Sequence, residues 1–436
     1  MDFLCYLWLV ILLFLRPGDF FQILDGIPLF WISSIITLLF SFSKVAALFS
    51  TRNFQAIPTI PLLFLVWLVA IPFSLLAPGR VNFQLAYDAV TTFYKPVSFF
   101  LFTLAIVDTP KRVLIVCKWI PILAMVISGL ALYDYFNDFY FGVFTHARET
   151  NPESPTGTTL RLAGHGTLAD PNDFAVFLVM VSMFNFDRLL DRRLGIGRVF
   201  WLIPLGINTW AFSLTESRGA FVGLLASIAS ALFLRFGVRR SLLPLALILP
   251  IIFVGLGGRQ TNLSLSSTTA TQRIEMVGEC YYYVKTYPVF GLGYGQISEW
   301  LHGLVAHNTY MQSMAELGFF GGSLFSCFVL FPLVQFLKVR PPLYRFTQPE
   351  MARLYLFLGG ALAGFNFGIL SLSRAEVLQT YLLLGLGTSF IRVAEREPNE
   401  PLPGFSFRTL GFALACGLGV IVFHYVMLRY FYGVNI

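Results

Sequence analysis

Residues 218–257 read RGAFVGLLASIASALFLRFGVRRSLLPLALILPIIFVGLG, two long apolar segments joined by a short connection that is rich in arginine. The segments, 218–236 and 241–257, each come close to the roughly 20 residues that an α-helix needs to cross a bilayer. Similar segments recur along the chain. Because unpaired backbone polar groups are too costly in lipid, this pattern predicts a bundle of membrane-spanning helices.

The composition of the whole chain agrees with this interpretation. Of its 436 residues, 56% are apolar, 17% are aromatic and 12% are charged, whereas soluble domains carry roughly 25% charged residues. So much apolar sequence excludes a disordered chain, and five cysteines exclude a disulfide scaffold. The net charge of +7 comes from small groups of Lys and Arg between apolar segments, so nucleic-acid binding is not expected.

Thirteen segments have the length and composition of membrane spans. They are 2–16, 27–49, 57–78, 87–107, 112–135, 171–188, 199–215, 218–236, 241–257, 309–337, 354–371, 376–391 and 409–431. We therefore predict an all-α membrane protein, a polytopic bundle of about 12–13 transmembrane helices that forms a single transmembrane domain over 1–436. The first segment lacks a basic region and a cleavage site, which predicts a retained span and not a signal peptide.

The distribution of basic residues predicts the orientation. About 19 of the 30 Lys and Arg fall on one side of this map, and that side is expected to be cytoplasmic. The N-terminus is then expected inside and the C-terminus outside. One miscounted span would move the C-terminus to the other side of the membrane. Two long connections, 136–170 and 258–308, are external. The second contains a Ser/Thr-rich stretch over 262–272, an amphipathic helix predicted over 272–287 and a glycine-rich turn at 288–295.

Ionisable residues at the external membrane face are costly, so they are candidates for function. Arg161 precedes the sequence Asp170-Pro171-Asn172, in which Asp170 is predicted to cap a helix whose first residue is Pro171. A capped loop would account for these three residues without any functional role. Arg161 is either solvated or a ligand-binding residue.

Arg218 lies at the start of an apolar helix, within the sequence Thr215-Glu216-Ser217-Arg218-Gly219-Ala220. The free N–H groups and the dipole of a helix N-terminus already favour an anion. A guanidinium beside them predicts an oxyanion or phosphate site. The alternative is an arginine that extends to lipid headgroups or pairs with Glu216.

His307 ends the second external connection where a membrane helix begins, and histidine suits proton transfer near neutral pH. A purely structural role is the alternative. Glu316 follows about two turns into the span, where it either orients the site or forms an interhelical hydrogen bond. Gly318, Gly321 and Gly322 are predicted to let another helix approach closely.

Several nucleotide- and metal-binding motifs are missing from the sequence. It has no G-x-x-x-x-G-K-[ST] loop, so ATP is not expected as the energy source. It has no H-E-x-x-H, Cys-x-x-Cys or Asp-x-Asp spacing, so neither a metal nor a cofactor is expected. Only Cys280 lies in an external connection, so no intramolecular disulfide is expected. External arginines without a metal suit an anionic, phosphorylated ligand presented from the bilayer.

Four motifs occur in a fixed order. They are R-x-x-G…D-P-N-x-x-A at 161–175, S-R-G-A at 217–220, P-x-x-G-x-G-x-G at 288–295 and H-N-x9-G-x-x-G at 307–321. In this order, on a multi-helix bundle with one dominant external connection, they resemble the O-antigen ligase/polymerase family. The resemblance covers residues 155–325. It implies a metal-independent, inverting glycosyltransferase with a GT-C-like fold in the bacterial inner membrane.

The resemblance also implies the ligands and the roles of residues. The donor would be a glycan on undecaprenyl diphosphate at the periplasmic face, and the acceptor would be the lipid A core of lipopolysaccharide. By matched motif, His307 would be the general base, and Arg218, Arg161 and Arg273 would bind the diphosphate. These four residues, distant in sequence, are expected to converge in one outward-opening crevice at the lipid boundary. The expected supporting residues are Asn308, Glu316, Asn172, Gly318 and Gly321.

Other functions stay open. The H-N-x9-G-x-x-G element and the dominant connection favour a ligase, and an O-antigen or exopolysaccharide polymerase is the alternative within the family. A transporter of a lipid-linked or anionic substrate is the alternative from another class, although transporters tend to have an inverted repeat and charges near the bilayer midplane. His165 and His302 also face outward and could share the proton role. The sugar, the acceptor and the oligomeric state stay open.

Overall fold

The computed structural model describes residues 1–49, 59–75, 83–137, 140–150, 157–261, 268–338, 346, 348–373, 375–394 and 407–433. Parts of three sequence predictions lie outside these ranges. They are residues 57–58 and 76–78 of the third predicted span, residues 138–139 and 151–156 of the connection 136–170, and residues 262–267 of the Ser/Thr-rich stretch.

The described residues form sixteen α-helices. They are α1 (Asp2–Leu15), α2 (Pro17–Phe20), α3 (Leu29–Ala47), α4 (Thr59–Ser74), α5 (Phe83–Ile106), α6 (Pro110–Phe136), α7 (Pro171–Leu189), α8 (Leu202–Thr215), α9 (Arg218–Phe236), α10 (Val238–Gly255), α11 (Thr268–Thr286), α12 (Ile297–Trp300), α13 (Thr309–Lys338), α14 (Pro349–Gly368), α15 (Leu378–Ala394) and α16 (Phe407–Val426). Each of the thirteen predicted spans coincides with one of them.

Eight of these helices are long and apolar enough to cross a membrane, within the part of the chain that the structure describes. They are α3, α5, α6, α9, α10, α13, α14 and α16. The other five helices at predicted spans are shorter or more polar. The chain is therefore an all-α polytopic membrane protein, as predicted, while the total of about 12–13 spans stays a prediction.

Two ionic clusters show which helix ends share a face of the bundle. The first joins Asp2, Lys44, Asp108 and Arg112. The second joins Asp187, Arg188, Asp191 and Arg353. In the predicted map, successive spans cross the membrane in opposite directions, and this places all the helix ends of both clusters on the same side. The structure brings the ends within each cluster together, and the assignment of this side to the cytoplasm stays a prediction.

The connection predicted over 136–170 contains a β-hairpin, which the sequence interpretation missed. Strands β1 (Ala147–Thr150) and β2 (Thr158–Arg161) pair antiparallel, with Ala147 opposite Arg161. The 3₁₀ turn Gly166–Leu168 follows, and α7 begins at Pro171. Each strand has only four residues and no period-2 apolar pattern, so periodicity could not reveal it. The hairpin determines where Arg161 lies.

The second connection, 258–308, also contains regular structure. Helix α11 occupies Thr268–Thr286, close to the amphipathic helix predicted over 272–287. The glycine-rich segment after it is a turn, as predicted, and the one-turn helix α12 follows. Together these elements bring the chain back to His307 at the start of α13.

Helix α13 is interrupted at Gly318, where φ is 66° and ψ is −173°. The turn after α11 fills this break. The N–H groups of Leu292 and Gly293 donate to Ala315 and Glu316 O at 2.9 Å, and the N–H of Phe319 donates to the carbonyl of Pro288 at 2.7 Å. The expectation that Gly318 lets another helix approach was therefore wrong, because the close neighbour is a turn.

Candidate functional site

A cavity of about 760 Å³ lies at the helix ends opposite the two ionic clusters. Its wall includes Arg161, Arg218, Arg273 and His307, which the sequence predicted to converge. They come from the β-hairpin, the start of α9, α11 and the start of α13. The four side chains therefore share one cavity, and its opening outward at the lipid boundary stays a prediction.

Arg161 is fixed in the wall of this cavity by three acceptors. Its Nε–H donates to the carbonyl of Thr215 at 2.7 Å, one terminal nitrogen donates to Asn172 Oδ1 at 2.7 Å, and the other pairs with Glu149. The residue is only 4% exposed, so the alternative of a solvated Arg161 was wrong. Its charge is held at a fixed position beside the cavity.

Asn172 connects Arg161 to the start of α9. Its Oδ1 also accepts a hydrogen bond from Ser217 Oγ at 2.8 Å, and Ser217 is the N-cap of α9. Asp170 caps α7 as predicted, because its Oδ1 accepts from the N–H groups of Asn172 and Asp173. Asn172 therefore links Arg161 to the N-cap next to Arg218, and its supporting role stays a prediction.

Arg218 is the first residue of α9, next to the N-cap Ser217, and its side chain lines the cavity. A Cβ added to the next residue, Gly219, would lie 1.9 Å from Ser371 Oγ at the end of α14. The glycine therefore lets the end of α14 reach the start of α9. The S-R-G-A motif places a guanidinium and a helix N-terminus at one side of the cavity.

Arg273 reaches the cavity from α11 and is largely buried. Its Nε is buried and has no hydrogen-bond partner among the described residues. Burial lowers the pKa of Arg273, and the nearby Arg161 adds to this effect, while Asp170 opposes it. A buried guanidinium with an unpaired donor is costly, so an anion in the cavity would stabilise it.

Arg259 and Glu149 also line the cavity, and the sequence interpretation missed both. Glu149 bridges two arginines: one oxygen pairs with Arg161, and the other accepts from Arg259 NH1 at 2.8 Å. Burial opposes ionisation of Glu149, but the two arginines hold the pKa of its carboxyl below the usual range. Arg259 follows the end of the segment 241–257 that is predicted to be external. Fewer Lys and Arg lie on that side, so an arginine at this position could have been identified as a candidate for function.

His307 lines the cavity with a backbone φ of 49°, in the left-handed region. The three residues that follow it are each anchored. Asn308 Oδ1 accepts from the N–H of Met311, Thr309 Oγ1 donates to the carbonyl of Leu372, and Tyr310 Oη donates to Asn366 Oδ1. The left-handed conformation costs roughly 1–2 kcal/mol, and these anchors hold it.

A second histidine, His424 in α16, lines the same cavity and was also missed. Its Nδ1–H donates to the carbonyl of Val420, so its Nε2 accepts from Asn308 Nδ2, both at 2.8 Å. An ionisable residue inside the apolar segment 409–431 was a signal for it.

His165 and His302, the histidines expected as possible assistants, do not line this cavity. His165 stacks on Phe144 with ring centroids 5.5 Å apart, and its Nε2 lies 3.3 Å from the carbonyl of Leu15. His302 is exposed to solvent. Among the described histidines, His307 and His424 are therefore the two in the cavity wall.

Glu316 is buried in α13 and is not among the described residues that line the cavity. It is 2% exposed, and its Oε1 accepts from Gln312 Nε2 at 3.0 Å within the same helix. A Cβ on Gly321 would lie 3.4 Å from the Cβ of Ala70 in α4. That distance is an ordinary contact, and the closer neighbour is Leu317 Cβ of α13 itself at 2.6 Å, so close approach of another helix at Gly321 stays a prediction. Glu316 is hydrogen-bonded within the first turns of α13.

Apolar side chains also line the cavity. Helices α9, α11, α14 and α16 contribute them, together with the short helical segments that directly follow α14 and α16. These residues are Val222, Ile274, Val277, Phe367, Leu370, Phe423, Met427 and Leu428. A lining that combines arginines with aliphatic and aromatic side chains suits an amphipathic ligand with an anionic group and an apolar chain.

Comparison with known proteins indicates a family for part of the chain. Residues 203–326 match the family model described as O-antigen ligase. This range includes Arg218, Arg259, Arg273 and His307, whereas Arg161 precedes it. No curated protein matches the chain.

Proposed function

We propose, from the membership of this chain in the O-antigen ligase/polymerase family, that it is a membrane glycosyltransferase. It moves a glycan from undecaprenyl diphosphate to an acceptor hydroxyl at the periplasmic face of the bacterial inner membrane. The favoured acceptor is the lipid A core. The observation that supports the proposal is the convergence of three predicted arginines and His307 on one cavity whose lining also contains apolar side chains.

His307 is the proposed general base. It takes the proton of the acceptor hydroxyl as the acceptor oxygen attacks the anomeric carbon of the donor sugar. The bond from that carbon to the diphosphate oxygen breaks, and undecaprenyl diphosphate leaves with the electron pair. Direct displacement inverts the configuration at the sugar carbon. General-base catalysis of this kind typically contributes about 10²–10⁴-fold to the rate.

The arginines are the proposed diphosphate site. Arg218 and Arg273 face the cavity together with the N-terminus of α9, and Arg161 adds a fixed positive charge. Hydrogen bonds from charged donors stabilise the negative charge that develops on the leaving group. With this charge neutralised, the leaving group needs no general acid. Because arginines, and not a metal ion, are proposed to neutralise the charge, activity should survive treatment with EDTA.

The test is transfer by the purified chain from undecaprenyl-diphosphate glycan to lipid A core, with the product identified by mass. His307→Ala should lower the rate by about 10²–10⁴-fold. The matched control is His302→Ala, because His302 also has a left-handed backbone but is exposed and lies outside the cavity wall. Normal transfer by His307→Ala would end this assignment.

The same assay separates ligase from polymerase. A ligase extends the lipid A core, whereas a polymerase extends a second lipid-linked repeat unit. In cells, loss of a ligase leaves polymer on the lipid carrier, and loss of a polymerase leaves core that carries one repeat. Movement of the lipid-linked donor across a vesicle membrane without transfer would instead favour a transporter.

A further inference from the structure

We infer that Glu216 determines sugar specificity in this cavity: its carboxyl group accepts a hydrogen bond from a hydroxyl of the sugar joined directly to the diphosphate. The inference rests on the proposed function and extends it, because it assigns recognition of the sugar to a residue outside the predicted catalytic set. Glu216 joins α8 to α9 and lines the cavity.

Among the described residues, three acidic side chains line the cavity, and two of them are explained by protein contacts. Glu149 binds Arg161 and Arg259 with its two oxygens. Asp170 caps α7. The third, Glu216, has its Oε2 buried without a hydrogen-bond partner among the described residues. A buried oxygen of this kind is costly unless a ligand supplies a donor.

The backbone of Glu216 is also unusual. Four non-glycine residues in the described part of the chain have positive φ: Arg16, Glu216, His302 and His307. Glu216, with φ of 50°, and His307 are the two that line the cavity. Glycine would occupy this conformation without strain. Strained residues of this kind cluster at functional sites, where the side chain has a use.

The charges around Glu216 indicate what it contacts. A carboxylate repels phosphate, so a site for diphosphate alone would be better without it. Burial raises the pKa of the Glu216 carboxyl, while Arg259 and Arg161 oppose that shift. The group is thus a hydrogen-bonding carboxyl surrounded by arginines, two residues before Arg218. In a lipid-linked glycan, the group adjacent to the diphosphate is the first sugar, which presents hydroxyl donors.

The experiment compares two probes with the full-length chain in detergent: undecaprenyl diphosphate alone, and undecaprenyl diphosphate carrying one hexose. Glu216→Gly removes the side chain at a position where glycine is favoured, so folding should be preserved. Glu216→Gln keeps a neutral acceptor. The matched control is Glu279→Ala, since Glu279 is exposed on α11 and absent from the cavity wall.

The wild-type chain and Glu279→Ala should bind the hexose-bearing lipid about tenfold more tightly than the bare lipid, as expected for a hydrogen bond to a charged group. Glu216→Gly should lose this preference while binding bare undecaprenyl diphosphate at least as tightly as the wild type, because the repulsion between the carboxylate and the phosphates is also removed. Glu216→Gln should keep part of the preference. An unchanged preference in Glu216→Gly, or no preference in the wild type, would overturn the inference alone. Failure of the wild type to bind either lipid would overturn the proposed function as well.

Discussion

Replacing Gly318 with alanine should destabilise the protein by about 2–6 kcal/mol. The backbone of Gly318, with φ of 66° and ψ of −173°, lies in a region that essentially only glycine occupies, and the strain there is about 1–3 kcal/mol. The new Cβ would also lie 2.3 Å from Val289 O and 2.6 Å from Gly291 N. Both neighbours are backbone atoms, so overpacking adds about 1–3 kcal/mol.

The turn after α11 can relieve this contact only by moving away from α13. That movement would break the hydrogen bonds that Leu292, Gly293 and Phe319 donate across the interface. Gly291→Ala should have a similar effect, because its Cβ would lie 2.4 Å from the carbonyl of Glu316 in the same contact. The double variant should be destabilised by less than the sum, since one displacement relieves both clashes.

Thermal unfolding in detergent and amide hydrogen exchange measure this effect. In Gly318→Ala, exchange should become faster at Leu292, Gly293 and Phe319. Gly419→Ala is the control, because a Cβ on Gly419 in α16 meets nothing within 4 Å and alanine favours a helix by about 1 kcal/mol over glycine. Wild-type stability and protection in Gly318→Ala would refute the clash argument.

Two more predictions concern histidines and their neighbours. Burial lowers the pKa of His165 to about 4, so between pH 4 and its unfolded value of about 6.5 the unfolded chain binds more protons. Stability should therefore fall by up to about 3 kcal/mol as the pH drops through this window, and a thermal unfolding series should show a smaller fall for His165→Gln. Asn308→Ser retains a capping oxygen for α13 but removes the amide that donates to His424. This variant should unfold near the wild-type temperature, but its rate of glycan transfer should be about tenfold lower. Wild-type activity would argue that the contact between Asn308 and His424 does not position the site.

Local sequence features predicted much of the architecture. The thirteen apolar segments coincide with helices because hydropathy acts over about 20 neighbouring residues. Asp170 caps α7 because its side chain bonds the N–H groups of Asn172 and Asp173, two and three residues on. Arg218 and His307 were identifiable because each stands at the start of an apolar helix. All of these signals depend on residues that are close in sequence.

Long-range contacts explain what was missed. Glu149 binds Arg259 across 110 positions of the chain, and Asn308 meets His424 across 116. Nothing near either residue in the sequence indicates its partner. The break at Gly318 was misread as helix packing for the same reason, because the turn that fills it comes from a segment before α13.

By itself, the amino-acid sequence determined that this chain is a bundle of apolar helices with arginines and one histidine at the helix ends of one face. Hydropathy, helix capping and charge at helix ends are local properties, so they can be read without coordinates. Only the tertiary structure decided that the β-hairpin, α9, α11, α13 and α16 meet around one cavity. It also decided that Glu149 holds two of the arginines there and that Glu216 has an unpaired oxygen, since both depend on helix packing that brings distant segments together.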